Sequence, residues 1–207
     1  DLIMLKDMTF ETLEKEIITC RKCPRLVEWR EKVGVVKRRA FRDEDYWAKP
    51  VPGFGDPDAR VLILGLAPGA HGSNRSGRMF TGDDSGNFLY PALYRAGFAN
   101  QANARSINDG LVLNQVFISA VCRCVPPDNK PTKDEIRNCM GYLRSEIAMM
   151  KHLKIIVTLG SIAHHEINNY FKNTMGINDI QPFKYFGISK IDAINMTVIS
   201  SYHPSRQ

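Results

Sequence analysis

Five cysteines are the residues whose chemistry is easiest to define in this sequence. Cys20 and Cys23 form a Cys-x-x-Cys pair, and Cys122, Cys124 and Cys139 lie in the second half of the chain. Two thiolates at the Cys-x-x-Cys spacing can hold one metal ion or part of an iron–sulfur cluster. The spacing alone gives structural zinc and an iron–sulfur cluster similar weight. It also leaves open whether Cys122 or Cys124 is a ligand, because alternate residues of a strand face the same side.

A glycine-rich loop is the second group with chemical potential. It runs from Gly65 to Asp83 as Gly-Leu-Ala-Pro-Gly-Ala-His-Gly-Ser-Asn-Arg-Ser-Gly-Arg-Met-Phe-Thr-Gly-Asp. Its glycines allow the backbone to approach a ligand closely, but it is neither a Walker A loop nor a Gly-x-Gly-x-x-Gly loop. Asn74 offers a donor and acceptors to a base edge or a water. Phe80 is either a core aromatic residue or a stacking platform for a base.

The C-terminal segment contains a histidine with a defined backbone setting. Ser201-Tyr202-His203-Pro204-Ser205 directly follows an apolar run. A residue that precedes proline is extended or in a turn, so His203 should point away from the sheet. A lone histidine is more often structural than catalytic, and we assign His152, His164 and His165 to that class.

Composition predicts a basic globular chain. The 207 residues fit a single domain spanning residues 1–207, and 43% hydrophobic with 24% charged residues is ordinary for a protein with a core. A formal net charge of +6 suits a polyanionic partner such as nucleic acid. No apolar run reaches the roughly 20 residues of a membrane helix, and charged residues interrupt the N-terminal apolar stretches. We therefore expect a cytoplasmic monomer without a signal peptide or membrane contact.

The elements that must position these residues follow from the pattern of apolar residues. Four short apolar runs predict strands: Val61–Leu66, Val116–Val121, Ile155–Leu159 and Ala193–Ser200. The first and third are continuous, as in strands buried on both faces of a parallel sheet. Helices are predicted at residues 9–19, at 133–150 after a Thr132/Glu135 capping box, and from 161 to about 171.

Alternating strands and helices predict an α/β fold. We expect a three-layer α/β/α sandwich around a small, mainly parallel four-stranded sheet. Ligands of such sheets collect at the carboxyl ends of the strands. The chemistry is therefore expected in the four loops that follow the strands, at residues 67–83, 123–131, 160 and 202–207.

Together these motifs resemble the uracil-DNA glycosylase superfamily, and within it the thermophile-associated family 5. The resemblance covers nearly the whole chain and is carried by Cys20–Pro24, Arg38–Phe41, Pro52–Asp56, Gly65–Asp83, Arg123–Pro131 and Ser201–Ser205. It implies a monofunctional glycosylase that hydrolyses the N-glycosidic bond of uracil and other deaminated or damaged bases in DNA, which initiates base excision repair. It also implies a [4Fe–4S] cluster held by Cys20, Cys23, Cys124 and Cys139.

The resemblance also implies roles for individual residues. His203 would donate a hydrogen bond to the departing base, Phe80 would stack on the flipped base, and Asn74 would hold the attacking water. The remaining implied contacts to the base or the DNA are Gly65, Leu66, Ala67, Pro68, Gly69, His71, Arg75, Asn129, Ser205 and Arg206.

Two positions depart from relatives with strong uracil activity. Ala67 stands where those relatives carry Asp, Asn or Glu, and Ala120 stands where family 4 relatives carry Asn. A pocket with fewer specifying groups should accept more bases, so hydroxymethyluracil, hypoxanthine and ethenocytosine are expected beside uracil. The alternative is a non-catalytic iron–sulfur protein that binds damaged DNA, which would leave His203 and Asn74 without a task.

Overall fold

The four predicted apolar runs form the parallel centre of one sheet. The computed structural model describes residues 8–204, and its strands are β1 Phe54–Gly55, β2 Val61–Gly65, β3 Val116–Ala120, β4 Ile155–Leu159, β5 Gly187–Ile191 and β6 Met196–Ser201. Their order is β1-β3-β2-β4-β6-β5. Strand β2 pairs in parallel with β3 and β4, and β4 pairs in parallel with β6. The predicted mainly parallel α/β sheet is confirmed.

The structure adds two antiparallel edge strands to the four predicted ones. Strand β1 has only two residues, too few to show a pattern. Strand β5 buries Ser189 and Ile191 but exposes Ile188 and Lys190, which is typical of a half-solvated edge strand. Strand β6 begins later than predicted because Asp192–Ile194 forms a 3₁₀ turn.

Helices cover both faces of the sheet. They are α1 Phe10–Ile18, α2 Pro24–Val36, α3 Ser73–Ser76, α4 Asp84–Arg95, α5 Lys133–Met149 and α6 Ser161–Met175. Leu62 and Leu64 pack with α1, α5 and α6, whereas Ile63 packs on the opposite face with α4. This alternation explains why the run is apolar throughout and confirms the three-layer arrangement.

The predicted helices are present with nearly the predicted bounds. Thr132 Oγ1 accepts from the Glu135 N–H at 3.2 Å, and Glu135 Oε2 accepts from the Thr132 N–H at 2.7 Å, which is the predicted capping box. Helices α2 and α4 were not predicted, since the buried stripe of α2 contains Arg30 and α4 contains Pro91. Within residues 8–204, no helix is long and apolar enough to cross a membrane.

Candidate active site

The carboxyl ends of the four parallel strands surround a cavity of about 860 Å³. Residue pairs at the strand ends lie side by side: Gly65 with Ala120, and Leu159 with Ser201. The loops that leave these ends therefore meet at one edge of the sheet. All four loops expected to carry the chemistry contribute to the cavity wall.

Most of the predicted base-binding and catalytic residues line this cavity. They are Gly65, Leu66, Ala67, Gly69, His71, Phe80, Asn129 and His203. Pro68, Asn74 and Arg75 are not part of its wall. Ser205 and Arg206 lie outside the described residues.

The cavity wall brings the predicted stacking ring next to the predicted hydrogen-bond donor. The ring centroids of Phe80 and His203 are 5.7 Å apart, with 30° between the ring planes. His203 is half-buried and lies two residues after the end of β6. A planar base that entered the cavity would therefore meet an aromatic face and an imidazole N–H within one small region.

Close backbone contacts fix the position of Phe80. Its φ angle is +52°, a left-handed conformation that large side chains rarely adopt. Its N–H donates to Ser73 Oγ at 3.0 Å. A Cβ atom on Gly65 would lie 3.0 Å from the ring of Phe80, and one on Gly86 would lie 1.8 Å from its carbonyl oxygen. A side chain on Gly86 would collide with the backbone of Phe80, and a side chain on Gly65 would press on its ring.

His71 also lines the cavity and is held by a tyrosine. Tyr46 Oη and His71 Nδ1 are 2.8 Å apart and share a hydrogen bond. Burial lowers the pKa of His71, and the positive charges of Arg38 and Arg75 lower it further. His71 therefore favours the neutral form, which leaves one ring nitrogen for a ligand in the cavity.

Arg75 braces the glycine-rich loop from within. Its Nε donates to the His71 carbonyl at 2.7 Å, its Nη2 donates to the Gly82 carbonyl at 2.8 Å, and Glu44 pairs with its Nη1. The guanidinium also lies 3.9 Å from the centroid of the Phe41 ring. These contacts hold the two ends of the loop together.

Asn74 lies behind the loop rather than at the cavity. Its side chain is fully buried, and its Nδ2 donates to the Arg30 carbonyl at 3.4 Å. The backbone carbonyl of Asn74 accepts a hydrogen bond from the Ala48 N–H at 2.9 Å. Asn74 thus links the loop to helix α2, and this position offers no geometric support for its predicted contact with the attacking water.

Asp83 is a cavity residue to which the sequence analysis assigned no role. It caps helix α4, with Oδ1 accepting from the Gly86 N–H at 3.1 Å. Its Oδ2 lies 3.1 Å from the position that a Cβ of Gly69 would occupy and 2.0 Å from that of Gly72. The two glycines make room for a carboxylate in the cavity wall. The capping pattern was visible in the sequence, but not the direction of the carboxylate.

A second, much smaller void of about 20 Å³ is bordered by four of the five thiols. They are Cys20, Cys23, Cys124 and Cys139, while Cys122 does not border it. Among the described residues, no group of three or more His, Cys, Asp and Glu side chains is arranged to hold a metal ion. The four thiols around the void, two of them buried, are nevertheless compatible with a cluster.

Cys122 has a different environment from the other four. Interaction with Cys122 lowers the pKa of Cys139 against the effect of burial, and interaction with Cys139 together with burial raises the pKa of Cys122. Burial raises the pKa of Cys124 to about 11, although Arg30 opposes the shift.

Two buried arginines border the same void. Arg30 Nη1 donates to Cys124 Sγ at 3.0 Å and to the Cys20 carbonyl at 3.2 Å. Arg123 Nη2 donates to Glu146 Oε2 at 2.6 Å. Within the described residues, Arg30 Nε and Arg123 Nε and Nη1 have no hydrogen-bond partner. Buried cations with spare donors indicate that an anionic group belongs beside the thiols.

Comparison with known proteins gives consistent results for most of the chain. The family model described as the uracil DNA glycosylase superfamily matches residues 52–207. The chain is 45% identical to the type-5 uracil-DNA glycosylase of Thermus thermophilus over 97% of its own length and 89% of that protein. It is 44% identical to the type-5 uracil-DNA glycosylase of Mycobacterium leprae over 94% of its own length and 84% of that protein.

A more distant similarity extends to a second type of glycosylase. The chain is 31% identical to the type-4 uracil-DNA glycosylase of Sulfurisphaera tokodaii, over 95% of its own length and 74% of that protein. The sequence resemblance to the superfamily and to its fifth family is confirmed.

Proposed function

The chain belongs to the uracil-DNA glycosylase superfamily, and we propose that it is a monofunctional glycosylase that hydrolyses the N-glycosidic bond of uracil in DNA and so initiates base excision repair. The observation that carries this proposal is the cavity at the carboxyl edge of the sheet, where Phe80 and His203 lie side by side. The similarity to type-4 and type-5 uracil-DNA glycosylases supports the same reaction.

The reaction places opposite charges on the two products of bond cleavage. As the N-glycosidic bond breaks, its electron pair leaves with the base, and positive charge develops on the sugar. A fixed donor aimed at the base oxygen stabilises the departing anion more than the neutral base. We assign this donor to an imidazole N–H of His203. The base must first rotate out of the duplex, and Phe80 offers the ring on which it stacks.

Water completes the reaction by adding to the sugar carbon, and its surplus proton is released. A carboxylate near this carbon would orient the water and stabilise the positive charge. We assign this task to Asp83, because its carboxylate belongs to the cavity wall whereas Asn74 is buried behind the loop. Asn74 then acts as a positioning residue that anchors the loop to helix α2.

We also propose that the enzyme accepts bases other than uracil. Ala67 and Ala120 both line the cavity and carry no group that could read a base edge. Among the described residues of the wall, the amide side chains are those of Asn87 and Asn129, and both are exposed. A volume of about 860 Å³ also leaves space for bases larger than uracil. Hydroxymethyluracil, hypoxanthine and ethenocytosine are the bases to test.

The thiol site fits a [4Fe–4S] cluster held by Cys20, Cys23, Cys124 and Cys139. The fit rests on the void that these four side chains border, and on the spare N–H groups of Arg30 and Arg123. Sulfides of a cluster are acceptors for such donors. A bound cluster would tie the start of α2 to the loop after β3 and to α5, which is a structural task.

A strand-cleavage assay tests the proposed function. A labelled duplex with one U·G mismatch is incubated with the protein and then treated with alkali, beside the variants His203→Ala and His152→Ala. We expect alkali-dependent scission by the wild type and by His152→Ala, whose histidine is exposed outside the cavity. Loss of one charge-stabilising donor costs about 10²- to 10³-fold in rate, so His203→Ala should be slower by that factor.

The same assay distinguishes the alternative function. A protein that binds damaged DNA without cleaving it would give no scission on uracil, hypoxanthine or ethenocytosine while the cluster is intact. Full activity of His203→Ala would instead remove His203 from the mechanism.

A further inference from the structure

Four aromatic side chains form a continuous patch that begins at the cavity and extends outward. This aromatic patch consists of Phe183, Tyr185, Phe186 and Tyr202. The rings of Tyr185 and Tyr202 are stacked, with centroids 4.6 Å apart and 15° between the planes. Phe186 lies 4.0 Å from Tyr185, and Phe183 lies 6.1 Å from Tyr202, measured between centroids.

The patch lies at the same edge of the sheet as the cavity. Phe183 and Tyr202 line the cavity, and Tyr202 directly precedes His203. Tyr185 and Phe186 occupy a turn closed by the hydrogen bond from the Gly187 N–H to the Lys184 carbonyl at 3.0 Å. Since Gly187 pairs with Ser200 near the end of β6, this turn stands beside the carboxyl end of that strand.

The outer members of the patch are exposed to an unusual degree for aromatic side chains. Tyr185 is 43% exposed, Tyr202 is 46% exposed and Phe186 is 65% exposed. Phe186 also has a φ angle of +55°, a conformation that a large residue rarely adopts. Contiguous exposed apolar surface of this kind marks interaction sites in soluble proteins.

The charges in the two segments that carry the patch favour nucleic acid as its partner. Residues 181–191 contain Lys184 and Lys190 but no acidic residue, and residues 200–204 contain none either. The two segments that carry the patch therefore contribute positive and no negative charge toward an approaching phosphate. Rotation of the target nucleotide into the cavity also leaves the neighbouring bases without one stacking partner. Exposed aromatic rings are suited to such bases because every base has a π face.

We propose that the aromatic patch stacks on bases of the substrate DNA that flank the nucleotide held in the cavity. This inference rests on the proposed glycosylase function and extends it to the bases beside the target. Phe183 and Tyr202 connect the cavity to the surface, and Tyr185 and Phe186 present the outer rings to the DNA.

Binding of unmodified DNA tests the patch without depending on catalysis. Fluorescence anisotropy with a labelled oligodeoxythymidine measures Kd across a series of salt concentrations. The double variant Tyr185→Ala/Phe186→Ala should weaken binding about tenfold or more, because stacking on one base contributes that much. The slope of log Kd against log salt should not change, since no phosphate contact is removed.

Two matched variants control for effects on folding and on surface hydrophobicity. Tyr94→Ala removes a 50% exposed ring from helix α4 and should bind as the wild type does. The variant Tyr185→Phe/Phe186→Tyr keeps both rings and should also bind as the wild type does. Circular dichroism of each variant checks that the fold is retained.

A second measurement locates the contact. A duplex carries 2′-fluorodeoxyuridine, which resists cleavage, and fluorescent 2-aminopurine directly beside it. Stacking of 2-aminopurine on the patch should quench its emission with the wild type but less with the double alanine variant. Equal emission with both proteins would overturn the proposed contact.

The outcomes separate this inference from the proposed function. If the wild type excises uracil and the double alanine variant binds DNA as tightly as the wild type, the inference fails alone. It also fails if the variant loses self-association or protein binding while DNA binding is unchanged. If the wild type excises no base, the proposed function fails whatever the DNA affinity.

Discussion

Replacing Asp83 by asparagine tests the electrostatic part of the proposed mechanism with little change of shape. The amide oxygen can still accept the Gly86 N–H that caps helix α4, since Asn and Asp are similar N-caps. The negative charge in the cavity wall is removed. We therefore expect the fold and its melting temperature to be retained while the reaction slows.

The size of the effect follows from the place of the carboxylate. A carboxylate about 4 Å from a unit positive charge is worth about 4 kcal/mol at the effective dielectric constant of a half-buried site. This corresponds to roughly a thousandfold in rate. The amide oxygen of asparagine recovers part of this attraction, so we expect Asp83→Asn to lower the single-turnover rate by about a hundredfold.

Asp83→Ala separates capping from catalysis. This variant loses both the charge and the N-cap, which should cost about 1 kcal/mol of stability and about 2–4 °C in Tm. Its rate should fall at least as far as that of Asp83→Asn. Asp192→Asn makes the same change of net charge beside the start of β6, away from the carboxyl ends of the strands that surround the cavity. This variant should keep the wild-type rate.

The assay is excision of uracil from a labelled U·G duplex with protein in excess, beside thermal unfolding of each variant. A rate for Asp83→Asn within about threefold of the wild type would refute the electrostatic role, because the charge would then not act on the transition state. If Asp83→Ala reacts slowly and Asp83→Asn reacts at the wild-type rate, Asp83 contributes only as a helix cap.

Three further predictions concern the thiols, the stacking ring and His71 in the cavity wall. Cys124→Ser should lose the visible absorbance of an iron–sulfur cluster, whereas Cys122→Ala should keep it; equal absorbance of both variants would contradict the assignment of ligands. Gly65→Ala places a methyl group 3.0 Å from the Phe80 ring and should slow excision with little change in Tm, as measured by the same two assays. The pKa of His71 is lowered by burial, so the unfolded chain binds a proton at His71 before the folded chain does. The stability of the folded protein should therefore decrease as the pH falls below about 6.5, and it should decrease less for His71→Gln. An NMR titration midpoint of His71 at or above about 6.5 would contradict this prediction.

Local signals in the sequence determined the elements that build the sheet. The run Val61–Leu66 is apolar throughout because both faces of strand β2 are covered, and the Thr132/Glu135 pair is recognisable because a capping box involves only neighbouring residues. The aligned carboxyl ends of the parallel strands then follow from the fold class. The sequence therefore predicts that the loop at residues 67–83 and His203 lie at one site.

Tertiary structure alone decided which side chains face the cavity. Asn74 and Asp83 lie in the same loop and both carry side chains that could hold water. The turn of the loop buries Asn74 against helix α2 and leaves Asp83 in the wall, because Gly69 and Gly72 make room for its carboxylate. Such contacts depend on how the loop packs on distant residues, which no local pattern records.

The distinction between Cys122 and Cys124 has the same origin. Cys122 and Cys124 both follow strand β3 and are two residues apart, so their spacing could not show which of them belongs to the thiol site. In the fold, Cys124 borders the void with the other three thiols and accepts a hydrogen bond from Arg30, whereas Cys122 does not border the void. Residue types and spacing therefore determined that a thiol site exists, and the packing of α2 and α5 around the end of β3 decided which thiols form it.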